Sequence, residues 1–442
     1  MSTSTGESLT YTQLLRRNRP FRWLWSGQVI SELGNWFNFI AALGLVRAVS
    51  NAAPEVTTII LIARLIPFTL FAPIAGAFVD RWSRRAVMIA SDFARVLVAL
   101  GFLLVRRPED LWIAYVCTVL LSLFGTFFEA AKNATVPNIT GERDLLAGNA
   151  LMFSSRYLWM ALGSALGGWT AVYVGYQTAF IINALSFFVS AYSVWLVPEE
   201  KTRKEETDDE PEKGFFSGLW SDVKEGWNFA VSHSVVSTII SVTMLCAIGV
   251  GAMNLIADRL GALVFADKSG ISADSAVAAI YFAVGIGLFL GMMIARVVGS
   301  YLESRKRTII FVGCSLLVQG ILFALAGVMP TLLLACLMVV ISRVFLGAEL
   351  AVQETLLMRL VPDDLRGRVN MIHHAGEIMT WGLATGLAGW SLQWLTPREL
   401  TVVSGLVSGV AGLAWLALFI TRSVRLPQRL KGGMAEAAGA GD

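Results

Sequence analysis

A chain of 442 residues that is 55% hydrophobic and 15% charged, with a mean hydropathy of +0.64, cannot hide its apolar surface in water, because even a large soluble fold must cover itself with polar groups. An apolar solvent removes that difficulty, so the composition excludes an ordinary soluble domain and predicts an all-α protein embedded in a lipid bilayer. The formal net charge of +3 is too small to argue for a nucleic-acid surface, and the basic residues carry information by position instead.

A helix that crosses a bilayer needs about 20 mostly apolar residues. The segment 1–20 is polar and then basic, has no cleavable signal pattern, and reads as cytoplasmic. Twelve apolar runs follow, at 21–46, 56–79, 86–105, 111–133, 149–173, 176–197, 237–257, 275–298, 308–328, 330–358, 370–395 and 400–421. The first six make an N-terminal bundle over 21–197 and the last six a C-terminal bundle over 237–421. Between them lies the one long polar stretch, 198–236, which opens with a charged linker over 199–213. It continues with Phe216, Leu219, Trp220, Val223 and Trp227 at helical spacing. This pattern predicts an amphipathic helix, lying on the inner membrane face or packed against other cytoplasmic segments. The tail 422–442 reads as cytoplasmic and disordered.

Lys and Arg in short loops set the orientation. With the N-terminus inside, the inner segments hold Arg16, Arg17, Arg19 and Arg22, then Arg81, Arg84 and Arg85, then Arg143, then Arg305, Lys306 and Arg307, then Arg359, Arg366 and Arg368, then Arg422, Arg425, Arg429 and Lys431. The outer loops hold fewer: Arg47, Arg106, Arg107, Arg259, Lys268 and Arg398. Both termini are therefore expected in the cytoplasm of a cell with a bacterial-type inner membrane. The halves also share a repeat: Gly163-Ser-Ala-Leu-Gly-Gly-Trp169 recurs as Ala384-Thr-Gly-Leu-Ala-Gly-Trp390, and Asn149 maps to Asn370, both at an offset of 221. Gly76-Ala-Phe-Val-Asp80 maps to Gly299-Ser-Tyr-Leu-Glu303 at an offset of 223. Three matches in order point to a six-plus-six duplication.

The loop after the second run reads Gly76-Ala-Phe-Val-Asp80-Arg81-Trp82-Ser83-Arg84-Arg85. A Gly at a helix end lets a neighbouring helix approach, and an acid beside several arginines can latch helices together at one face of the membrane. This loop resembles the G-x-x-x-D-R-x-G-R-R signature of the major facilitator superfamily, with Ser83 in place of the usual Gly. In the fifth run, Gly163, Gly167 and Gly168 form a small-residue packing face. It resembles the antiporter signature G-P-x-x-G-G, with Ser164 in place of Pro. Asp92-Phe-Ala-Arg95, Val136-Pro137, Ala147-Gly148-Asn149, Ile182 to Phe187, Glu225-Gly226-Trp227, Val361-Pro362 and Arg366-Gly367-Arg368-Val369 resemble the exporter branch that includes macrolide and siderophore efflux proteins. The resemblance spans about residues 20–420. It implies two pseudo-symmetric six-helix bundles, transport by alternating access, and a monomer.

Charges within the runs each need a reason, since a charge at the bilayer centre costs at least about 2.5–3.5 kcal/mol. Glu32, followed by Asn35 and Trp36 within a helical turn, sits near the midplane of the first run. It is the first candidate for a proton or cation site; the alternative is a structural pair with Arg64 or another arginine. Arg64 and Arg343 are candidates to tune it or to bind an anionic group. Gly76, Asp80, Arg81, Arg84, Arg85, Asp92 and Arg95 are candidates for an inner gate, as are Glu129 with Lys132, Arg156, Glu349 with Arg343, and Glu377. The 221 offset places Arg156 and Glu377 at equivalent positions in the two halves. His373 and His374 lie a turn from Glu377. Trp23, Trp25, Trp112 and Trp394 suit an interfacial belt, whereas Trp36, Phe37, Phe39, Trp159 and Trp381 lie deeper.

Cys117, Cys246, Cys314 and Cys336 sit singly in apolar runs, and three scattered histidines make no zinc spacing. No P-loop, GxSxG, HExxH or dinucleotide fingerprint is present, so neither a metal, a cofactor nor an enzyme is expected. The expected function is proton-coupled export of an amphipathic small molecule, with the proton as coupling ion. A flippase for lysolipids or another amphiphile is the alternative transport reading, and a non-transporting membrane sensor the reading from a different class.

Overall fold

The computed structural model describes residues 11–51, 53–202, 215–304, 307–362 and 365–420. Every regular element among them is helical: α1 (Tyr11–Arg17), α2 (Arg19–Val49), α3 (Pro54–Arg81), α4 (Arg84–Gly101), α5 (Leu111–Tyr173), α6 (Tyr176–Trp195), α7 (Phe215–Ser232), α8 (Ser234–Gly251), α9 (Met253–Arg259), α10 (Ala266–Ser269), α11 (Ala273–Ser304), α12 (Thr308–Val328), α13 (Leu332–Leu360), α14 (Arg366–Ser391) and α15 (Pro397–Ile420). In lipid a backbone must satisfy its own polar groups, which helices do within one segment. The side chains 199–220, apart from those of Glu199, Glu200 and Thr202, and the tail 421–442 lie outside the described residues, as do Arg305 and Lys306.

The 63 residues of α5 are two helices meeting at Gly141, whose φ of 70° and ψ of 167° break the run just after Pro137. Proline removes a backbone donor and glycine adopts the positive φ without Cβ strain. With α5 counted as two, twelve long helical segments stand where twelve spans are expected. Ten described helices are long and apolar enough to cross a membrane. The other two, the second part of α5 and α14, fall short for a chemical reason: they carry Arg156, or His373, His374 and Glu377, among many Gly, Ser and Trp residues. Helices that pack backbone to backbone and hold interior charge lose hydropathy.

By its contacts the chain divides into two units, one of residues up to 202 with Ile271–Phe282, the other of 215–270 and 283–420. In the first unit α2 packs against α5 and α6, with α4 against α5 and α6 and α3 against α5. A Cβ on Gly163 would stand 2.7 Å from Trp36 Cβ, and one on Gly167 3.0 Å from Phe37 Cα. The small-residue face is therefore where α2 and the second part of α5 touch, and Gly168 faces Ala278. The second unit repeats the scheme with α8 against α14: a Cβ on Gly251 would stand 2.9 Å from Ala384 Cβ, and Thr385 Oγ1 donates to the Gly251 carbonyl at 2.9 Å. The stretches Gly163–Trp169 and Ala384–Trp390, paired by the sequence repeat, thus do equivalent work in each unit. Elsewhere in the second unit α12 packs along α15 and α13.

The amphipathic helix expected after the 199–213 linker forms as α7 and docks on α14, through Gly226 against Arg368 and Ile372 and an Arg368–Glu225 ion pair of 2.7 Å. Trp227 and Val231 face away, both more than half exposed. Among the described side chains of α7, the packed face therefore rests on α14 while Trp227 and Val231 stay open.

Candidate functional site

The first unit holds a polar cleft of about 30 Å³, room for a water or two. Glu32 of α2 lines it together with Gln28, Glu129, Lys132, Ser155, Arg156 and Trp159. Gln28 Nε2 donates to Glu32 Oε1 at 2.9 Å, and Lys132 Nζ donates to both oxygens of Glu129 at 2.7 and 2.6 Å. The charges of Glu32 and Glu129 both act on Arg156. Two acids and two bases therefore share one lining, which neutralises charge that would be costly alone in a bilayer. The helix spacing explains the convergence: Glu32 lies one turn from Gln28, and Arg156 lies one turn from both Met152 and Trp159. The structure groups Glu32 with Arg156, Glu129 and Lys132, and among the described residues forms no Glu32–Arg64 ion pair.

Arg64 of α3 lies among aromatic rings. Its guanidinium carbon is 4.3 Å from the centroid of Phe39 and 5.6 Å from that of Trp36. These rings meet each other and Tyr281 at 5.3–5.9 Å. A guanidinium over ring faces is held by the ring quadrupole, and the planar fork keeps its donors available for an anion. Phe39 and Tyr281 complete a cage that sequence reasoning placed only as deep aromatics or not at all. Asn35 is half-buried on α2 and makes no side-chain hydrogen bond among the described residues.

Two arginines of the signature loop make contacts within their own unit. Arg84 donates to the Ala134 carbonyl at 2.6 Å, and Arg85 donates to the Trp195 carbonyl and lies 3.8 Å from Glu199. Arg85 thereby caps the C-terminal end of α6, since exposed carbonyls at a helix C-terminus attract cations, while Arg84 ties α4 to the first part of α5. Arg81 is exposed, and the Asp80 side chain lies outside the described residues. Gly76 departs from the expected close approach: a Cβ there meets nothing within 4 Å. Asp92 and Arg95 pair with each other on α4, buried, and Arg95 is sandwiched between Phe128 at 4.5 Å and Phe187 at 4.4 Å.

In the second unit the expected pair of Glu349 with Arg343 does not form among the described residues. Six residues along a helix turn the side chain by about 240°, so the two leave α13 in different directions. Arg343 points to Phe323, 4.5 Å from the ring, and to Met253 Sδ at 3.4 Å, with Nε and Nη1 unpartnered. Glu349 is buried with Oε1 unpartnered. Glu377 lies 3.5 Å from His374 Nδ1. A polar seam unforeseen in the sequence runs nearby: Gln319 donates to Ser408, which meets Cys246 at 3.4 Å, and Gln353 donates to Thr243 at 2.9 Å. A further buried group, Arg47 with Asp274 and the Tyr176 hydroxyl, belongs to the first unit. The signal available for these was a polar residue inside an apolar run. Among the described residues no cluster of three or more His, Cys, Asp or Glu side chains is placed to hold a metal ion.

Long apolar helices with interior charges and small-residue seams define a polytopic membrane protein. The sequence profile of the Major Facilitator Superfamily matches residues 24–372, and the chain belongs to that family. Among curated relatives it is 26% identical over 220 residues to the uncharacterized MFS-type transporter YfiS of Bacillus subtilis (strain 168), covering 49% of this chain and 50% of that protein. It is 26% identical over 173 residues to the putative bacilysin exporter BacE of the same organism, covering 39% and 43%. With the multidrug resistance protein MdtH of Sodalis glossinidius (strain morsitans) it shares 27% over 124 residues, covering 28% and 30%. The chain thus spans half or less of the length of these relatives. Among solved structures it is similar to the nucleoside transporter NupG, with a TM-score of 0.69 at 13% identity over 90% of this chain and 99% of that one. It is also similar to a bacterial homologue of the iron transporter ferroportin in its inward-facing state, with a TM-score of 0.64 at 15% identity over 90% and 98%. These structural likenesses establish the fold.

Proposed function

We propose that this transporter exports amphipathic small molecules across a bacterial-type inner membrane, coupled to protons and working by alternating access as a monomer. The two bundles, 21–197 and 237–421, are its moving parts, and both termini are cytoplasmic. The observation that carries the reading is the cleft around Glu32, where an embedded carboxylate shares its surroundings with Arg156, Glu129 and Lys132. A proton or a cationic substrate that neutralises Glu32 changes the balance of that cluster, and a charge balance that differs between states is what lets a ligand bias a conformational equilibrium. Glu129 and Arg156 belong to the gate in this reading. The relatives named as an exporter and a multidrug resistance protein support the direction of transport, and the deep rings of Trp36 and Trp159 suit an apolar or aromatic cargo.

The test is wild type and Glu32→Gln in liposomes carrying a pH-sensitive dye, challenged with lipophilic cations, macrolides and siderophores. Wild type moves protons when substrate is added and Glu32→Gln does not; substrate-linked proton movement that survives in the variant refutes the assignment. The cage around Arg64 supports a second reading, a lysolipid or amphiphile flippase whose phosphate meets the guanidinium. In that case lysolipid moves without proton flux, and Arg64→Met abolishes the movement.

A further inference from the structure

Arg64 of α3 is partly exposed, and among the described residues it makes neither an ion pair nor a hydrogen bond. A guanidinium keeps its charge at any physiological pH, and an embedded charge without a counter-ion is costly. The rings of Phe39 and Trp36, at 4.3 and 5.6 Å, fix its position but cancel none of its charge. Glu32 of α2 is likewise partly exposed and closes no ion pair among the described residues; Gln28 alone donates to it, at 2.9 Å.

The spacing along α2 sets how far apart these opposite charges stand. Gln28, Glu32, Asn35 and Phe39 follow at steps of four, three and four residues, so they share one face of the helix. The Arg64 guanidinium lies against Trp36 and Phe39, one to two turns beyond Glu32, or about 6–10 Å along the axis. Between them Asn35 is half-buried, and its side-chain amide has no hydrogen-bond partner among the described residues. Two further polar atoms of residues lining the cleft are buried and unpartnered, Gln28 Oε1 and Trp159 Nε1. Buried polar groups are ordinarily satisfied, so open donors and acceptors beside two separated charges point to a polar ligand.

We propose that Glu32 and Arg64 together read a small zwitterion, with an ammonium and an acidic group a few bonds apart. The proposal rests on the reading of Glu32 as a carboxylate of the transport path. The ammonium meets Glu32, the acidic group meets Arg64, and a peptide bond between them meets the amide of Asn35. An extended peptide spans at most about 3.3–3.6 Å per residue. One or two residues, with a charge-assisted hydrogen bond of about 2.8 Å at each end, therefore bridge the gap, and a third overshoots it. Each ligand charge meets its opposite, so bringing both into the membrane interior costs less than bringing either alone. The partly exposed Trp36 offers its ring to the cargo's apolar side chain. A dipeptide and the headgroup of lysophosphatidylethanolamine share this chemistry.

Isothermal titration calorimetry on the purified full-length chain in detergent micelles separates the contributions. Phenylalanyl-phenylalanine is compared with its methyl ester, which lacks the carboxylate, and its N-acetyl form, which lacks the ammonium; lysophosphatidylethanolamine is the lipid arm. Loss of one charge-assisted contact weakens binding about 10- to 100-fold. The free dipeptide should therefore bind at least about tenfold tighter than either blocked form. Arg64→Gln should erase its advantage over the ester, and Glu32→Gln its advantage over the N-acetyl form. Lysophosphatidylethanolamine binding that needs both residues, with no dipeptide binding, supports the zwitterion site and assigns it to a lipid headgroup. Equal binding of the free and blocked dipeptides overturns the proposal, as does absence of binding by the dipeptide and the lysolipid alike. An advantage over the ester that survives in folded Arg64→Gln also overturns it. The wild-type comparison stands whether or not the variants fold. Micelles hold no pH gradient, so a zwitterion preference in a chain whose substrate movement ignores such a gradient supports the site and refutes the coupling reading alone. Proton movement on adding lipophilic cations, in a chain without that preference, refutes the zwitterion alone.

Discussion

The pair of Asp92 and Arg95 tests whether the acids and arginines near the signature loop act as a gate or as an internal brace. Both are buried on α4, and Arg95 is clasped by Phe128 and Phe187. Removing one partner of a buried pair costs about 3–5 kcal/mol, because the other is left as an uncompensated charge. Asp92→Leu strands the guanidinium, although the two rings still hold it with about 0.5–2 kcal/mol each. Arg95→Met strands the carboxylate and loses the ring contacts, so it is the worse single change. The double variant Asp92→Leu/Arg95→Met leaves no charge and a chain of similar bulk between the phenylalanines. It should cost less than either single change, a coupling of about 3 kcal/mol or more against additivity. Reversible unfolding in mixed micelles, followed by circular dichroism, gives the three free energies. Additive single costs below about 1 kcal/mol each, the size of an exposed ion pair, refute the brace. In that event a change in transport rate without loss of stability would mark the pair as a gate.

Other consequences of the packing are as direct. Gly163→Val drives a branched side chain into Trp36 and Leu33 and should lower the yield of folded protein and its unfolding temperature in detergent, whereas Gly76→Ala, with open space around it, should leave both unchanged. Gly226→Val should lift α7 from α14, because its Cβ already stands 3.0 Å from Arg368 and Ile372. Proteolysis at the α7 boundary should then speed up, while Arg368→Ala, which breaks a partly exposed ion pair with Glu225, should change stability by about 1 kcal/mol.

Much of the architecture was legible because length and hydropathy are properties of the chain read one residue at a time. Twelve runs, a polar linker and an amphipathic segment translate into twelve long helical segments and α7, and the repeat of Gly163–Trp169 at Ala384–Trp390 becomes the same backbone contact in each unit. What escaped was break points and partners. The α5 kink needs Gly141 at φ 70°, and a lone Gly near a Pro was not singled out as a joint. A Gly at a helix end suggests a close approach, and Gly76 instead stands in open space.

Charge pairing shows why partners are harder to read than depth. Glu349 and Arg343 share a helix and opposite signs, so sequence proximity suggested a pair. A spacing of six residues sends them about 120° apart around the helix, whereas the spacing of three between Asp92 and Arg95, or Glu129 and Lys132, puts both on one face. All three relations were written in the residue numbers. The same arithmetic cannot supply contacts between helices: nothing in the spacing places Glu32 beside Arg156 rather than Arg64, because that meeting depends on how α2 lies on α5. Angle around the axis therefore decides which charges on one helix are free to act, and packing between helices decides what they act upon. By the first criterion Glu349 is released from Arg343, which turns instead to Phe323 and Met253, and by the second Glu32 is handed to the cleft it shares with Arg156.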